Sequence, residues 1–374
     1  VDPTKKIEDI TVSTQQRVEI LKMLYREAEI LIFDEPTAVL TPQEIDELMR
    51  IIRNLVKEGK SVVIITHKLN EIKAVADRCT IIRRGKLIDV VDVASTDTAL
   101  MAAKMVGRPV NFKVEKSAPK TGRPVLEVKN LCVMNAKKLL GVKNFSLTVH
   151  AGEIVGLAGV DGNGQTELVE AICGLVPAES GSVIIGGTDA TNLTVRKRNE
   201  LGLGHIPEDR IKRGLIASLR IAENMVVKSY YRKPFSGNGI LNFPEINSYS
   251  EEIVRKFDVR SGEGINSPAG KLSGGNQQKM IVGREISMNP ELLIAVQPTR
   301  GLDVGAIEYI HSQIVAHRDK GNAVLLVSLE LDEIFNLSDR IAVISGGELM
   351  NIVDTASTDE HSVGLMMAGV RDKK

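Results

Sequence analysis

The stretch that decides the fold is EIVGLAGVDGNGQTELVEAICGL, residues 153–175. Its apolar run is followed by glycines with the spacing G-x-x-x-x-G, which is typical of a strand, a phosphate-binding loop and a helix in succession. Such loops end in Lys followed by Ser or Thr, but here Gln165 precedes Thr166. The glycines therefore predict a phosphate site that lacks the usual lysine charge.

An internal repeat without gaps surrounds this stretch. QQRVEILKMLYREAEILIFDEPTAVLTPQE begins at Gln15 and QQKMIVGREISMNPELLIAVQPTRGLDVGA begins at Gln277, an offset of 277 − 15 = 262. In both copies short apolar runs alternate with helical segments, which predicts parallel strands buried on both faces. The predicted fold class is therefore α/β with a mostly parallel sheet core.

Composition narrows the classes of function. Lys plus Arg and Asp plus Glu number 48 each. The chain therefore lacks the excess of basic residues that is typical of nucleic-acid-binding proteins. The three cysteines form no C-x-x-C pair, which favours a reducing compartment over a disulfide framework or a zinc site. No apolar run approaches the roughly 20 residues needed to span a membrane.

The first copy ends an apolar strand in two carboxylates, in ILIFDEPT at residues 30–37. Asp34 is predicted to hold Mg²⁺, which favours carboxylate and phosphate oxygens and keeps waters. Glu35 is predicted to polarise an attacking water, and His67 follows in VIITHKL. The alternative is a solvated strand end without chemistry.

A second anion-binding element is LSGGNQQK at residues 272–279. Ser273, Gly274 and Gly275 open a predicted helix, whose free backbone N–H groups and dipole favour an anion. Ser273 is also a good helix cap. The double glycine is unfavourable for capping alone, which favours contact with phosphate.

Together these motifs resemble the ATP-binding cassette (ABC) ATPases over essentially the whole chain. The resemblance implies an α/β fold of the phosphate-loop NTPase type, with one partial and one complete domain and a helical subdomain. The tandem arrangement and PEDRIKRGL at 207–215 resemble double-cassette subunits of bacterial ribose- or galactose-type importers. GVDGNGQTELVEAICGL and AVQPTRGLDVGAIEYI are most similar to the nucleoside-import branch. The resemblance implies ATP and Mg²⁺ as cofactors, with each ATP held between one cassette's phosphate loop and the other cassette's signature helix.

The resemblance also assigns roles to residues. It implies catalysis by Glu35 and His67, and Mg²⁺ binding by Asp34 and Thr166. The residues that it implies for nucleotide binding are Gly159, Gly162, Asn163, Gly164, Gln165, Thr166, Ser273, Gly274 and Gly275.

The same offset sets the expected domain boundaries. The first copy's phosphate loop would lie near 159 − 262 = −103, so we expect a chain truncated at its N-terminus. We expect the C-terminal part of a first cassette at 1–107 and a solvated linker at 108–123. A complete second cassette is expected at 124–374, with its helical subdomain at about 210–287.

The two copies differ at the positions that carry chemistry. The second copy replaces Asp34 by Val296, Glu35 by Gln297 and His67 by Leu329, and its Gln-loop position is Glu208. The signature of the first copy is the altered one, with Ile10, Thr11, Val12 and Ser13 in place of LSGG. At the D-loop the second copy keeps GLD (301–303), where the first has VLT (39–41). If the two cassettes pair head-to-tail, the altered residues of both copies would fall on the same one of the two nucleotide sites formed between them. This predicts one hydrolytic and one non-hydrolytic site.

Gln165 fits the non-hydrolytic site. A hydrogen bond to a charged group contributes ~1.5–3 kcal/mol against ~1 for a neutral one. Replacing the charged hydrogen bond by a neutral one weakens ATP binding by roughly tenfold, whereas loss of a general base lowers the rate of hydrolysis by ~10²–10⁴. We therefore expect this site to bind ATP weakly and hydrolyse it little.

The resemblance implies an energising subunit of a nucleoside or simple-sugar importer. Its partners would be membrane-spanning permease subunits and, indirectly, a solute-binding protein, with a possible dimer through cassette pairing. It would be cytoplasmic, at the inner face of the plasma membrane, and would bind no nucleic acid. The full-length protein is expected to be an ATPase, and this chain alone inactive or nearly so. The alternatives are a soluble cassette ATPase of translation or DNA repair, and a structural paralogue without nucleotide.

Overall fold

The computed structural model of the protein describes residues 2–7, 10, 12–25, 28–37, 40, 42–83, 85–109 and 114–370, without the side chains of residues 12, 13, 42 and 43. The chain folds into two compact units. The first is formed mainly by residues 1–112 and the second mainly by residues 113–374. Within the described ranges, no helix has the length and apolar character needed to cross a membrane.

The first unit alternates helices with short strands. Its elements in chain order are α1 (Val12–Tyr25), β1 (Ile30–Asp34), α2 (Pro42–Lys57), β2 (Ser61–Ile65), α3 (Leu69–Val75), β3 (Arg78–Arg83), β4 (Lys86–Asp92) and α4 (Thr98–Val106).

Two separate two-stranded sheets form in this unit, one from β1 and β2 in parallel and one from β3 and β4 in antiparallel pairing. One face of β1 turns Leu31 and Phe33 into a core with Leu48 and Ile52 of α2. The opposite face of β1 is exposed, so its burial alternates along the strand as expected for a sheet covered on one side.

The second unit begins with β5 (Pro124–Met134), β6 (Leu140–His150) and β7 (Ile154–Ala158). Its further elements are α5 (Gln165–Cys173), β8 (Ser180–Ile185), β9 (Thr188–Asp189), α6 (Val195–Glu200), β10 (Leu203–Ile206), α7 (Ile221–Val226), β11 (Ser236–Gly237), β12 (Ile240–Leu241), α8 (Phe243–Lys256), α9 (Gly274–Ser287), β13 (Leu292–Val296), α10 (Val304–Asp319), β14 (Ala323–Ser328), α11 (Leu331–Leu337), β15 (Arg340–Ser345), β16 (Glu348–Asp354) and α12 (Glu360–Met367).

A six-stranded sheet of order β10-β13-β14-β7-β15-β16 forms the centre of the second unit. Its strands run parallel except β16. The strands β7, β13 and β14 are buried along their whole length, as is usual for parallel strands covered on both faces. A four-stranded antiparallel sheet of order β6-β5-β8-β9 contributes to the same core.

The helix that carries the start of the first repeat copy begins at Val12, so Gln15 lies within its first turn. The region 210–287 contains α7, α8 and α9, a π-helix at Arg210–Gly214 and the small antiparallel hairpin of β11 and β12. The hairpin is an addition that apolar periodicity did not indicate.

The linker prediction was wrong for Lys116, which is half-buried rather than solvated. Its Nζ donates to the carbonyls of Leu337 and Ser338 at 3.0 and 2.6 Å and lies 3.5 Å from Asp339. The carbonyls at a helix C-terminus favour a cation, and here they are those at the end of α11. Burial lowers the pKa of Lys116, and Asp339 partly offsets that effect.

Candidate functional site

The ends of β1 and β2 bring Glu35 and His67 together. The N–H of Glu35 donates to the carbonyl of Ile65 at 2.8 Å, which fixes the residue after β1 against the end of β2. Glu35 has a left-handed backbone, with φ 43°, a conformation that non-glycine residues seldom adopt outside constrained sites. Its Oε1 lies 3.1 Å from Nδ1 of His67, and both side chains remain accessible to solvent.

A buried hydrogen-bonded group lies beneath this pair. Thr37 Oγ1 donates to Oε1 of Glu71, and Thr66 Oγ1 donates to Oε2 of the same carboxylate at 2.9 Å. Thr37 and Glu71 are almost fully buried, so the hydrogen bonds from the two threonines satisfy a carboxylate that is removed from water. Because Glu71 accepts from the segments after both β1 and β2, it fixes the two strand ends together. None of Thr37, Thr66 and Glu71 was singled out from the sequence.

Asp34 is the last residue of β1 and its side chain is exposed. Among the described residues, no three His, Cys, Asp or Glu side chains form a metal cage. Mg²⁺ in phosphate sites commonly uses only one or two carboxylates, with phosphate and water oxygens completing its shell. A single exposed carboxylate at a strand end fits that ion and does not fit a closed structural metal site.

The end of β13 in the second unit repeats the backbone of the first. Gln297 has φ 48°, and its N–H donates to the carbonyl of Val327 at 2.7 Å. Thr299 Oγ1 donates to Oε1 of the buried Glu333 at 2.7 Å. Val296 is apolar and buried here, so this strand end has the same backbone frame without the carboxylates of Asp34 and Glu35.

Glu333 has an additional partner, because His311 Nε2 lies 2.9 Å from its Oε1. Both side chains are buried. Burial alone would raise the pKa of Glu333, but the bonds from His311 and Thr299 outweigh it and hold that pKa below its ordinary value. The first copy has Met49 at the position of His311, so this bond belongs to the second unit.

The glycine loop begins α5 in the second unit. Gly164 is the residue before the helix, with φ 102°, and a Cβ there would lie 2.4 Å from the carbonyl oxygen of Gly141. Gly162 is also left-handed, with φ 81°. Both positions therefore need glycine, and the start of a helix such as α5 favours an anion through its first N–H groups.

Asn163 connects the loop to the turn between β15 and β16. Its Oδ1 accepts from the N–H of Gly346 at 3.1 Å and its carbonyl accepts from the N–H of Gly347 at 3.0 Å. Asn163, which is predicted to contact phosphate, therefore also holds the loop against this turn through its side chain. Thr166 is exposed in the first turn of α5, where its hydroxyl is accessible.

Gln165 is buried and packs its amide over Gly159. A Cβ at Gly159 would lie 2.5 Å from Nε2 of Gln165. A Cβ at Gly159 would also lie 2.8 Å from the carbonyl oxygen of Ile344. Because that backbone cannot turn aside as a side chain can, Gly159 is required there in addition to its place in the glycine spacing. The amide lies within the loop, where a lysine would have brought a charge.

The signature element lies at the start of α9. Ser273 precedes the helix with an extended backbone and makes no side-chain capping bond; instead its Oγ accepts from Nδ2 of Asn276 at 2.9 Å. The plain alternative of a side-chain cap is therefore not realised. Ser273 is exposed and Gly274 and Gly275 are partly exposed, so their backbone groups are accessible to a ligand.

Charged side chains from two neighbouring segments meet beside this element. Arg300 forms an ion pair with Glu208, the Gln-loop position, and its carbonyl accepts from Nη1 of Arg210 at 3.2 Å. A Cβ on Gly274 would lie 3.4 Å from Nη2 of Arg210. Burial lowers the pKa of Arg210, and the charge of Arg300 adds to that effect. Neither arginine was singled out from the sequence, because their proximity spans 90 residues.

Two predicted features fall outside the described residues. Of the altered signature, Thr11 is not described, nor are the side chains of Val12 and Ser13. The same holds for Val39 and Thr41 of the first D-loop. The predictions made for them stay predictions.

A strand, a glycine loop and a helix beside a parallel sheet, with a glycine-opened helix on the same unit, define a nucleotide-binding ATPase cassette. The family model described as "ABC transporter" matches residues 142–300. The chain is 55% identical to a nucleoside import ATP-binding protein of Lactococcus lactis subsp. cremoris, over 99% of this chain and 73% of that protein. It is 53% identical to a guanosine import ATP-binding protein of Bacillus subtilis, over 100% and 73%.

The chain belongs to the family of ABC transporter ATP-binding proteins. A ribose import ATP-binding protein of Corynebacterium glutamicum is 38% identical over 97% of this chain and 68% of that protein. The predicted family, and an ATPase as the class of enzyme, are thereby confirmed.

Solved structures agree on the fold. A dimeric ABC transporter cassette in a post-hydrolysis state with ADP and phosphate has a TM-score of 0.53 and 23% identity, and it covers 62% of this chain and 98% of its own. A nucleotide-free cassette has a TM-score of 0.51 and 21% identity, over 65% and 96%. The predicted α/β fold of the phosphate-loop type is confirmed.

Proposed function

We propose that the chain is part of the ATP-binding subunit of an importer for nucleosides or simple sugars, with division of labour between its two copies. The first copy supplies the hydrolytic side chains, and the second supplies a nucleotide site that hydrolyses ATP little and a signature element. The observation that carries this proposal is the pair of matching strand ends. The one after β1 has a solvent-accessible carboxylate, Glu35, 3.1 Å from His67, whereas the equivalent positions after β13 and β14 are Gln297 and Leu329.

Glu35 is proposed as the general base and His67 as the group that orients it. An ionised Glu35 accepts a hydrogen bond from Nδ1–H of His67, which leaves Nε2 of the imidazole for the nucleotide side. The fixed left-handed backbone and the bond to Ile65 hold Glu35 at the strand end. Asp34 would hold Mg²⁺, which supplies charge stabilisation to the transferring phosphate when bound.

The second copy is proposed to hold ATP as a clamp. The N–H groups at the start of α5, the hydroxyl of Thr166 and the amide of Gln165 would contact its phosphates. Ser273, Gly274 and Gly275 would serve the hydrolytic site from the opposite cassette. Val296, Gln297 and Leu329 provide no base, so turnover at this strand end is not expected.

The proposed partners are permease subunits that span the membrane and, through them, a solute-binding protein. This places the subunit in the cytoplasm at the inner face of the plasma membrane. The names of the relatives favour nucleosides and sugars as the transported class. Co-purification with a permease supports this partner, whereas a tagged protein that brings down ribosomes or repair complexes supports the soluble alternative.

Isothermal titration with a non-hydrolysable ATP analogue tests the clamp. We expect weak saturable binding, and an absence of heat at millimolar analogue would refute a nucleotide site in the second unit. The Gly164→Ala variant should abolish binding, because its Cβ would meet the carbonyl of Gly141. Gly187→Ala is the matched control, with φ 82° but no atom within 4 Å of the new Cβ, and should bind as the parent does.

A further inference from the structure

A cavity of about 400 Å³ lies in the second unit, lined by residues of α5, α6, β10 and α9. Part of its lining is apolar and consists of Cys173, Leu175, Val176, Val195 and Leu203, which we call the apolar wall. Leu175 and Val195 are 44% and 37% exposed, so the cavity opens to solvent beside them. Ligand sites generally have volumes of roughly 300–1,000 Å³, with apolar walls and a few polar groups.

Two cations and a buried carboxylate lie next to the apolar wall. Lys228 and Arg284 line the cavity, and both form ion pairs with the fully buried Glu285. Lys228 Nζ donates to Oε2 of Glu285 at 2.7 Å, and Arg284 Nε donates to Oε1 at 2.9 Å. Burial alone would raise the pKa of Glu285, but the charges of Lys228 and Arg284 lower that pKa to about 2. The three groups are therefore ionised at neutral pH and carry one more positive charge than negative.

The other titratable side chains that line the cavity leave this excess in place. Arg213 and Glu170 form an ion pair, with 2.5 Å between Nη1 and Oε1, whose charges cancel. Burial lowers the pKa of His205 to about 4, and the charge of Lys228 adds to that effect, so the imidazole is neutral at pH 7. Burial raises the pKa of the Cys173 thiol to about 12, so the thiol is neutral as well. One net positive charge is left at the cavity.

Hydrogen-bond donors accompany this charge. An ammonium group carries three N–H donors, and Glu285 accepts one bond from Lys228. The side chain of Lys228 is 21% exposed, so its Nζ can turn another donor toward the cavity. Asn199 also lines the cavity and carries an amide. Because a charge that is partly withdrawn from water interacts more strongly than an exposed one, these donors favour an anion.

We propose that this cavity binds a small organic monoanion, with its charged group beside Lys228 and Arg284 and its apolar body against the apolar wall. One net positive charge balances a monoanion and leaves part of a more highly charged group unbalanced. The apolar wall favours a ligand with an organic body over a bare inorganic ion, since the wall offers such an ion no hydrogen bonds. An aromatic carboxylate has this chemistry. The proposal concerns the second unit alone and does not depend on the proposed transport function.

Fluorescence titration of the full chain tests the site. The probe is anilinonaphthalene sulfonate, an aromatic monoanion that binds apolar surfaces. Phenylnaphthylamine has the same rings without the sulfonate and is the neutral comparison. We expect the chain to bind the sulfonate saturably and about tenfold more tightly than the neutral probe, because only the sulfonate accepts charged hydrogen bonds. Equal affinities for the two probes would overturn the proposal.

Two substitutions locate the bound probe. Lys228→Met removes the excess charge and should weaken sulfonate binding by about tenfold, with the affinity for the neutral probe unchanged. Lys116→Met is the matched control, because Lys116 is also a partly buried lysine paired with a buried carboxylate, and it should bind the sulfonate as the parent does. Val176→Trp fills the cavity and keeps its charges, so it should abolish binding even if Lys228→Met fails to fold. Sulfonate affinity that survives Val176→Trp would place the probe elsewhere and refute the site.

Competition separates the classes of anion. Benzoate, a monoanion, should displace the sulfonate probe. Phenyl phosphate carries nearly two negative charges at pH 7, so we expect it to require a concentration at least about tenfold higher, because part of its charge would be unbalanced in the cavity. Displacement by phenyl phosphate at a lower concentration than benzoate would overturn the assignment to a monoanion.

Discussion

The strand ends after β1 and β13 share a backbone conformation and a buried Thr–Glu hydrogen bond, which together we call the frame. They differ in the side chains that the frame presents. In each, the residue after the strand is left-handed and bonds to the neighbouring strand, and a Thr donates to a buried Glu. The threonine and glutamate are 34 residues apart in both copies. The side chains that differ, Glu35 and Gln297, occupy equivalent places in this frame.

The comparison shows that frame and chemistry are separable. Glu71 and Glu333 are buried carboxylates whose loss would leave their threonine partners without a bond, at a cost of ~1–3 kcal/mol for each unsatisfied group. Glu35 is exposed and carries no such cost. A repeat can therefore change the side chains that we propose as catalytic while selection for stability keeps the frame.

Acid should distinguish the two units most strongly. Burial lowers the pKa of both His205 and His317 to about 4, and both lie in the second unit. Between about 6.5 and 4 the unfolded chain binds more protons at these residues than the folded one, so stability falls as pH falls through that range. With 1.36 kcal/mol for each pKa unit, the loss is about 3 kcal/mol for each histidine.

Urea unfolding at pH 7, 5.5 and 4.5, followed by hydrogen exchange resolved for each unit, measures this effect. The second unit should lose stability over that range, and His317→Gln should remove about half of the loss. Equal losses in parent and His317→Gln would show that other groups set the acid limit.

Removing the buried carboxylate of the second frame should have the next largest effect. Glu333→Ala leaves Thr299 and His311 without their partner and opens a cavity, so we expect a loss of about 3 kcal/mol in the free energy of unfolding. Glu333→Gln keeps the shape and should lose about half as much. A Glu333→Ala variant as stable as the parent would show that the frame is not held by this group.

Placing a carboxylate in the second frame should cost less. Gln297 is buried, so Gln297→Glu should reduce the free energy of unfolding by about 2 kcal/mol through an unpaired charge. If the frames are equivalent, adding Leu329→His should recover about 1 kcal/mol through the contact that Glu35 makes with His67. The double-mutant cycle measures that coupling, and a value of zero would break the equivalence of the two frames.

The smallest expected effect is on affinity at the glycine loop. Gln165→Lys should tighten binding of a non-hydrolysable ATP analogue by roughly tenfold, because it restores a charged hydrogen bond to phosphate. Thr188→Lys, which adds the same charge at an exposed position on β9, should leave affinity unchanged. Equal effects of the two variants would assign the gain to general charge.

Sequence was sufficient for the fold class and the motif positions, since apolar runs, glycine spacing and the repeat are local or periodic signals. It was insufficient for contacts between distant segments. The Glu71 and Glu333 groups, the arginines at 210 and 300, and the anchoring of Lys116 all depend on where separate segments meet. A signal for the first was nonetheless present, because the repeat keeps Thr and Glu 34 residues apart in both copies.

The exposed face of β1 and β2 illustrates the other limit. Periodicity predicted strands buried on both faces in both copies, and the prediction was wrong for the first unit. The apolar residues are there, as Ile32 and Val63 show, but burial depends on which segments pack against them. Pattern identifies a surface suited to burial and does not identify what covers it.

The bond between Asn163 and the β15–β16 turn has a consequence for synthesis. Gly346 follows Asn163 by 183 residues, and chains elongate at about 5–20 residues per second. The turn therefore leaves the ribosome about 10 to 40 s after the loop does. Throughout that interval the nascent glycine loop lacks the contact that fixes Asn163, so the second unit acquires its complete loop only after the β15–β16 turn has been synthesised.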